Sequence, residues 1–254
     1  MKILQNKNTR VLIIAMSTLV VLALLIARWY YSSENKSIDP RVVIAHQLYE
    51  RYNSLAENSD YEEIFLLMDS IEDIYSEVDH YRKSYEVGVI YNNRAAAYIA
   101  MALDSTLSDT LLRDSLFQLA EYNVQTSIDI YSEWIDTWGN KSKEEISQML
   151  IPFFPADDPV FKGQDINRFI RKRTRQIIEA QYETPRRLSV SYTNLGIIYR
   201  HRQEYDNAAK QYFIALDLWP DNLAAENNLN VLLGQEQKKQ GIIRKLFPKD
   251  RIKD

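Results

Sequence analysis

Residues Ser189–Asn222 read SVSYTNLGIIYRHRQEYDNAAKQYFIALDLWPDN, and this stretch decides the fold. We expect it to form two antiparallel helices with Tyr205-Asp206 at the turn between them. Pro220 ends the second helix because its ring cannot continue the helical hydrogen-bond ladder. Thr184-Pro185 is predicted to open the first helix, with Thr184 as the N-cap and Pro185 at the first helical position. The stretch therefore predicts a helical hairpin.

Small and large side chains are spaced in this hairpin so that its helices can approach closely. The small residues are Gly196, Ala208 and Ala215, and the large residues around them are Tyr192, Leu195, Tyr199 and Tyr212. Together with Pro220, this spacing resembles the tetratricopeptide repeat (TPR) over its whole length, with tyrosine where the family has Trp or Phe. The resemblance implies stacked hairpins whose first helices line a concave, peptide-binding surface.

The same pattern extends to both sides of this hairpin. Downstream, Leu223–Gln235 is predicted as the first helix of an uncompleted unit that caps the stack. Upstream, Val89–Met101 and Leu111–Trp134 are predicted as a second hairpin, with Asp104–Asp109 inserted between its helices. A further helical pair is expected at Pro40–Glu57 and Tyr61–Val78. The predicted fold is thus all-α, an α-solenoid of about three TPR-like hairpins plus a capping helix.

Residues 136–183 interrupt this series. Ile151–Val160 contains three prolines and is predicted as a loop. Gln164–Tyr182 has apolar residues at helical spacing and is predicted as a helix. The other face of that helix is basic, with Arg168, Arg171, Lys172, Arg173 and Arg175. Plain solvation explains this face most simply; an acidic protein partner or the acidic amino-terminal half of the same molecule is the next interpretation.

Composition supports helices and excludes thiol chemistry. The 254 residues include 6 Gly and 7 Pro, which are too few for the many tight turns of sandwiches and barrels. Cysteine is absent, so disulfides, thiolate metal sites, cysteine nucleophiles and cysteine lipidation are excluded. The net charge is −4, divided between residues 1–161 (13 basic, 24 acidic) and residues 162–254 (18 basic, 11 acidic).

An uncharged apolar run, Val11–Ala27, predicts one amino-terminal transmembrane helix. At about 1.5 Å per residue the run spans roughly 26 Å, just enough to cross a hydrocarbon core. Aromatic residues suited to the membrane interface follow it at Trp29, Tyr30 and Tyr31. A cleaved signal peptide is the alternative, which Leu25 disfavours because cleavage sites require a small residue there.

Positive charge sets the expected orientation of this single-pass protein. Three basic residues precede the run, Lys2, Lys7 and Arg10. They place the amino terminus in the cytoplasm and the repeat domain outside it, in the periplasm if the source is bacterial. The expected segments are a cytoplasmic N-terminus (1–10), the anchor with interfacial aromatics (11–31), a linker (32–39), degenerate hairpins (40–135), the inserted loop and basic helix (136–183), the TPR hairpin and capping helix (184–235), and a basic, disordered tail (236–254).

No pattern in the sequence predicts catalysis. The three histidines, His46, His80 and His201, lack metal-ligand spacing, and nucleophile-elbow, phosphate-loop and dinucleotide motifs are missing. Asp157 and Asp158 form an isolated acidic pair that would need several more oxygen ligands to hold a metal. We therefore expect no enzyme activity, metal or cofactor. An enzyme that uses residues 136–183 remains a remote alternative.

The TPR resemblance implies a partner-binding groove on the first helices. Its candidate residues are Asn92, Asn93, Asn194, Ile197, Arg200, His201, Asn227 and Asn228. Asparagine carries a donor and an acceptor, so it can pair with a peptide backbone, although it can equally serve the packing of its own hairpin. Some TPR proteins grip a terminal carboxylate with Lys and Arg, but the matching positions here hold Val89, Asn92, Val190 and Thr193. Binding of a C-terminal carboxylate is therefore disfavoured.

These features predict a membrane-tethered scaffold or assembly factor that binds a protein or peptide. The membrane contact is expected through residues 11–27, and the extracytoplasmic location disfavours nucleic acid. A partner-sensing regulatory subunit of a membrane complex is the alternative. The short segment Met1–Arg10 argues against that alternative because so few residues can relay little across the membrane.

Overall fold

The computed structural model describes residues 11, 13, 15–26 and 37–239, and every regular element within them is helical. The predicted all-α class is confirmed for these residues. Helix α1 occupies residues 15–26. Within the described part of the chain, no helix is both long and apolar enough to cross a membrane. The predicted cytoplasmic segment 1–10, the interfacial aromatics and linker at 27–36, and the tail from 240 onward lie outside the described residues.

The remaining helices follow one another with short connections. They are α2 (Val43–Tyr49), α3 (Tyr52–Glu57), α4 (Tyr61–Ser76), α5 (Asp79–Arg82), α6 (Tyr85–Ala102), α7 (Thr110–Trp138), α8 (Lys143–Leu150), α9 (Ile166–His201), α10 (Tyr205–Leu218) and α11 (Leu223–Leu232). Short 3₁₀ turns occur at Pro40–Val42, Ile151–Phe153 and Pro159–Phe161. Helices are present where the hairpins Val89–Trp134 and Ser189–Asn222 were predicted, and the predicted Asp104–Asp109 connection is confirmed.

The long helices pack mainly on their neighbours in the chain. Helix α4 packs against α2 and α6, α6 against α7, α7 against α9, α9 against α10, and α10 against α11. The first helices of successive pairs are α2, α6, α9 and α11; α6 touches α9, α9 touches α11, and Tyr49 of α2 is hydrogen-bonded to Asn93 of α6. We call the surface of these four helices the first-helix face.

Two of these helix pairs meet at a glycine that lies under a tyrosine ring. A Cβ atom added at Gly88 in α6 would lie 2.5 Å from Cε1 of Tyr131 in α7. A Cβ atom at Gly196 in α9 would overlap the ring of Tyr212 in α10 in the same way. Both tyrosines are buried. The predicted close approach at Gly196 is confirmed, and the same contact recurs in the preceding pair, where the sequence pattern did not reveal it.

The predicted helix start at Thr184-Pro185 is wrong. Helix α9 runs through Pro185 without a break, and its N-cap is Asp165, whose carboxylate accepts a hydrogen bond from the Asn167 backbone N–H at 3.1 Å. An internal proline costs about 3 kcal/mol. Both halves of α9 are nevertheless held by buried side chains, Phe169 and Ile177 in one half and Leu188 and Leu195 in the other. Each such side chain contributes roughly 1.5–3 kcal/mol, which outweighs the cost of the proline.

Other local predictions also need correction. The turn between α9 and α10 lies at residues 202–204, where Gln203 has a positive φ, and Tyr205 already belongs to α10. The end of α10 before Pro220 is confirmed, because Trp219 takes the extended conformation that a following proline favours. The predicted helix Pro40–Glu57 is divided between α2 and α3. Helix α8 was not predicted, although its capping box at Ser142 and Glu145 is visible in the sequence.

The start of the helical domain is fixed to the 151–161 segment by Arg41. Its guanidinium pairs with Asp39 at 2.8 Å, donates to the Phe153 carbonyl at 2.9 Å and lies 4.9 Å from the centre of the Phe161 ring. The predicted loop at Ile151–Val160 therefore consists of two 3₁₀ turns packed against the first turn of the domain. Asp158 accepts from the Val160 backbone N–H and lies 3.8 Å from Arg41, which is a structural role.

Candidate partner-binding face

Hydrogen bonds from asparagines join the helices of the first-helix face. Asn93 in α6 donates to the Tyr49 hydroxyl in α2 at 3.1 Å. Asn194 in α9 donates to the Asn92 side-chain oxygen in α6 at 3.0 Å. The face continues to α11, where the side-chain oxygen of Asn228 accepts a hydrogen bond from Arg200. These amides therefore join neighbouring helix pairs, whereas the sequence interpretation without a partner placed them in the packing of their own hairpin.

The structure brings the predicted groove residues together in two groups. The first group is Asn92 and Asn194; the Asn92 side-chain oxygen accepts from both the Asn194 amide and the Ser191 hydroxyl of α9. The second group lies towards α11 and contains Arg200, His201 and Asn228. Arg200 and His201 line an open cavity of about 550 Å³ with Val231 and Leu232 of α11. Two predicted residues belong to neither group. Asn93 is buried and hydrogen-bonded to Tyr49. Ile197 packs against the hydrophobic core.

Asn227 pairs with the backbone of the chain that follows α11. Its side-chain oxygen accepts from the Lys238 backbone N–H at 2.7 Å, and its amide nitrogen donates to the Lys238 carbonyl at 3.0 Å. Asn230, one turn further along α11, donates to the Glu236 carbonyl at 3.3 Å. Residues 235–239 have no regular secondary structure. This part of the predicted disordered tail is therefore held against α11 through its backbone.

A cleft opens on the same face between α2, α4, α6 and α9. Its volume is about 240 Å³. Three tyrosines form its walls, and three ionisable residues place polar atoms in it; the six are Tyr49, Tyr75, Tyr85, His46, Glu86 and Arg187. We call it the aromatic cleft. Tyr49 is 37% exposed and lies where the cleft opens to solvent.

A buried ion pair lies at one side of the aromatic cleft. Arg173 donates to Glu86 through both terminal nitrogens, at 2.5 and 3.2 Å, and its guanidinium lies 4.0 Å from the centre of the Tyr81 ring. Burial by itself would raise the pKa of Glu86, but the charge and hydrogen bonds of Arg173 lower it to about 2. Arg173 is 2% exposed, so its assignment to the exposed basic face is wrong.

Two other polar groups of the cleft lack hydrogen-bond partners. The Nη1 atom of Arg187 is buried and unpaired, and its guanidinium lies 5.0 Å from the centre of the Tyr85 ring. The Nε2 atom of His46 is buried and unpaired as well. Burial lowers the pKa of His46, so its imidazole is neutral at pH 7. The cleft therefore contains a paired charge, Glu86 with Arg173, and an unpaired cation, Arg187.

The rest of the predicted basic face lies on the amino-terminal half of α9. Arg171 pairs with Asp165 at 3.2 Å, and the Arg168 guanidinium lies 4.9 Å from the Phe169 ring centre. Arg171 and Arg175 line a shallow cavity of about 280 Å³ with Lys143 of α8. Lys172 is half-buried beside them. Without Arg173, this surface is smaller than the sequence indicated.

Neither metal chemistry nor a known relative points to another function. The described residues contain no group of three or more His, Asp or Glu residues suited to a metal ion. No family model, curated protein or solved structure matches the chain.

The aromatic cleft was not predicted from the sequence. Glu86 and Arg187 are 101 positions apart, and neither stands in a motif. The one sequence signal for the cleft was the high count of 17 tyrosines, of which three form its walls. Such a count does not identify which rings meet.

Proposed function

We propose that this chain is a membrane-tethered protein-interaction scaffold or assembly factor that binds an extended segment of a partner along the first-helix face. In this proposal the helices form an α-solenoid of about three TPR-like hairpins, and α11 is the capping helix. Residues 11–27 anchor the chain in a membrane, with the helical domain on the extracytoplasmic side.

The contact between Asn227 and Lys238 carries this proposal. It shows an asparagine of α11 pairing with both polar groups of one backbone residue, which is the contact that an extended peptide would make. Backbone pairing of this kind supplies affinity without requiring a particular side chain. The exposed residues next to the other asparagines, such as Val190 and His201, provide the surface along which such a segment would continue.

The packing of the helices supports the TPR-like part of the proposal. Chain neighbours pack in series, first helices meet on one side, and the contact between glycine and tyrosine occurs in two pairs. A stack of such units buries a continuous core while leaving one helix face open.

The tether would favour binding by raising local concentration. A partner that resides in the same membrane meets a tethered face far more often than a free one, so a weak contact suffices. The run Val11–Ala27 carries no charge, which supports its role as the anchor. Protease added to intact spheroplasts should digest the helical domain, whereas complete protection would reverse the proposed orientation.

Site-specific photo-crosslinking in cells tests the interface. The crosslinking residue is placed at Val190, which is 36% exposed on α9, and in a matched control at Phe213, which is 56% exposed on α10 away from the first-helix face. We expect a discrete adduct from Val190 and none from Phe213. Copurification of the captured protein should be lost with Val190→Asp and retained with Phe213→Asp. Capture from Phe213 alone would place the interface elsewhere.

A further inference from the structure

The aromatic cleft has a chemical preference of its own. We propose that it binds the side-chain carboxylate of an aspartate or glutamate in the partner segment, with Arg187 and His46 as the donors. This inference rests on the proposed function, because it assigns one subsite of the same face.

The unpaired donors are the first reason. A buried N–H group without a partner costs about 1–3 kcal/mol, and the cost is larger for charged groups. Arg187 can donate but not accept, so only an acceptor relieves this cost. A carboxylate matches a guanidinium better than a neutral carbonyl does, because charge-assisted hydrogen bonds are roughly twice as strong. His46, when Nε2 carries its proton, adds a second donor to the same cavity.

The charge balance of the cleft is the second reason. Glu86 also lies in the cleft, and an unpaired Glu86 would repel an acidic ligand. Both of its oxygens accept from Arg173, so that pair is neutral as a unit. Within the described part of the chain no carboxylate pairs with Arg187, which leaves its positive charge in the cleft uncompensated. One cation favours a monoanion, whereas a phosphoryl dianion usually requires more than one.

The size and walls of the cleft are the third reason. A volume of about 240 Å³ equals that of about eight water molecules at roughly 30 Å³ each. This volume holds an acidic side chain together with part of an apolar neighbour. The tyrosine walls exclude water from the ion pair, which strengthens it.

The position of the cleft indicates a peptide rather than a free small molecule. Arg187 and Asn194 are seven residues apart on α9, or roughly 10 Å at about 1.5 Å per residue. An extended peptide advances about 3.3 Å per residue. A segment whose backbone lies at Asn194 would therefore place a side chain at Arg187 about three residues away. Val190, between the two positions, is open to solvent.

Peptide titration against the full-length chain in nonionic detergent tests the assignment. The probe is the capped peptide acetyl-Ala-Leu-Glu-Leu-Ala-Ala-amide, and its control has Gln in place of Glu. We expect the Glu peptide to bind at least tenfold more tightly than the Gln peptide by calorimetry. Arg187→Gln should remove this difference, Arg187→Lys should keep part of it, and the neighbouring control Arg186→Gln should leave it unchanged.

Several outcomes would overturn the assignment. Equal binding of the Glu and Gln peptides by the wild-type chain would do so, as would a preference for Glu that survives Arg187→Gln. Binding of free 4-methylpentanoate as tightly as the Glu peptide would show a small-molecule pocket instead. Circular dichroism of each variant shows whether it is folded. If Val190 still captures a partner, only the carboxylate subsite is wrong; if it captures nothing, the proposed function is wrong as well.

Discussion

Removing Arg173 should destabilise this protein more than any removal of a surface arginine. Arg173→Met leaves the Glu86 carboxylate buried and uncompensated, and breaking a buried pair in this way costs about 3–5 kcal/mol. The pKa of Glu86 gives a similar magnitude. Its decrease from 4.5 to about 2 corresponds to about 3 kcal/mol at about 1.36 kcal/mol per pKa unit. Arg171→Met, at an exposed residue of the same helix, should cost less than about 1 kcal/mol.

The double variant makes this prediction specific. Glu86→Leu alone leaves Arg173 over the Tyr81 ring, where a cation–π contact of about 2 kcal/mol limits the loss. Arg173→Met combined with Glu86→Leu replaces the pair by apolar side chains, which in other buried pairs is neutral or stabilising. We therefore expect the double variant to be more stable than Arg173→Met. Urea unfolding of the full chain in detergent, followed by circular dichroism, measures all four free energies of unfolding.

The pH dependence gives an independent check on the same pair. The folded pKa of Glu86 is lower than its unfolded value, so its contribution is complete above pH 4.5 and is lost as the pH falls towards 2. Glu86→Leu should remove that part of the acid destabilisation. A loss below 1 kcal/mol for Arg173→Met, or an unchanged acid profile for Glu86→Leu, would refute the argument for a stabilising buried pair.

Three further predictions test the packing of the helices. Gly196→Ala should cost about 1–3 kcal/mol by overpacking against Tyr212, and Tyr212→Leu should reduce that cost; equal costs in both backgrounds, measured by urea unfolding, would contradict the contact. Pro185→Ala should stabilise the chain by up to about 3 kcal/mol because the residue lies inside a helix, whereas destabilisation would support a helix start there. Asn227→Ala should release the backbone of Lys238 and speed tryptic cleavage after it, while an unchanged cleavage rate would show that the pairing does not hold the tail.

The parts of the fold that depend on local spacing were predictable. Gly196, Tyr212 and Pro220 lie within one hairpin, so their spacing alone indicates two close helices and the end of the second. Gly88 was not recognised because it lies one residue before Val89–Met101, the range predicted as the helix. A glycine in a helix does not by itself indicate a close helix–helix contact, because the aromatic ring that packs on it must also be known.

The errors arose where distant residues decide the local structure. Thr184-Pro185 has the sequence of a helix start, but buried side chains on both sides of it impose one continuous helix. The basic residues of α9 are spread around much of its circumference, so the sequence cannot tell which one is buried. Glu86 decides that Arg173 is the buried one, and Glu86 belongs to a helix 87 positions away. The aromatic cleft is built from four helices, so the sequence could not predict it for the same reason.

The continuity of α9 has a mechanical consequence. Its 36 residues form a rod of roughly 54 Å, and they belong at one end to the core around α8 and at the other to the core shared with α7 and α10. Motion of one core relative to the other would require bending or breaking that rod. A displacement of the 151–161 segment would therefore be transmitted along α9 towards Arg200. The two ends of α9 should unfold together.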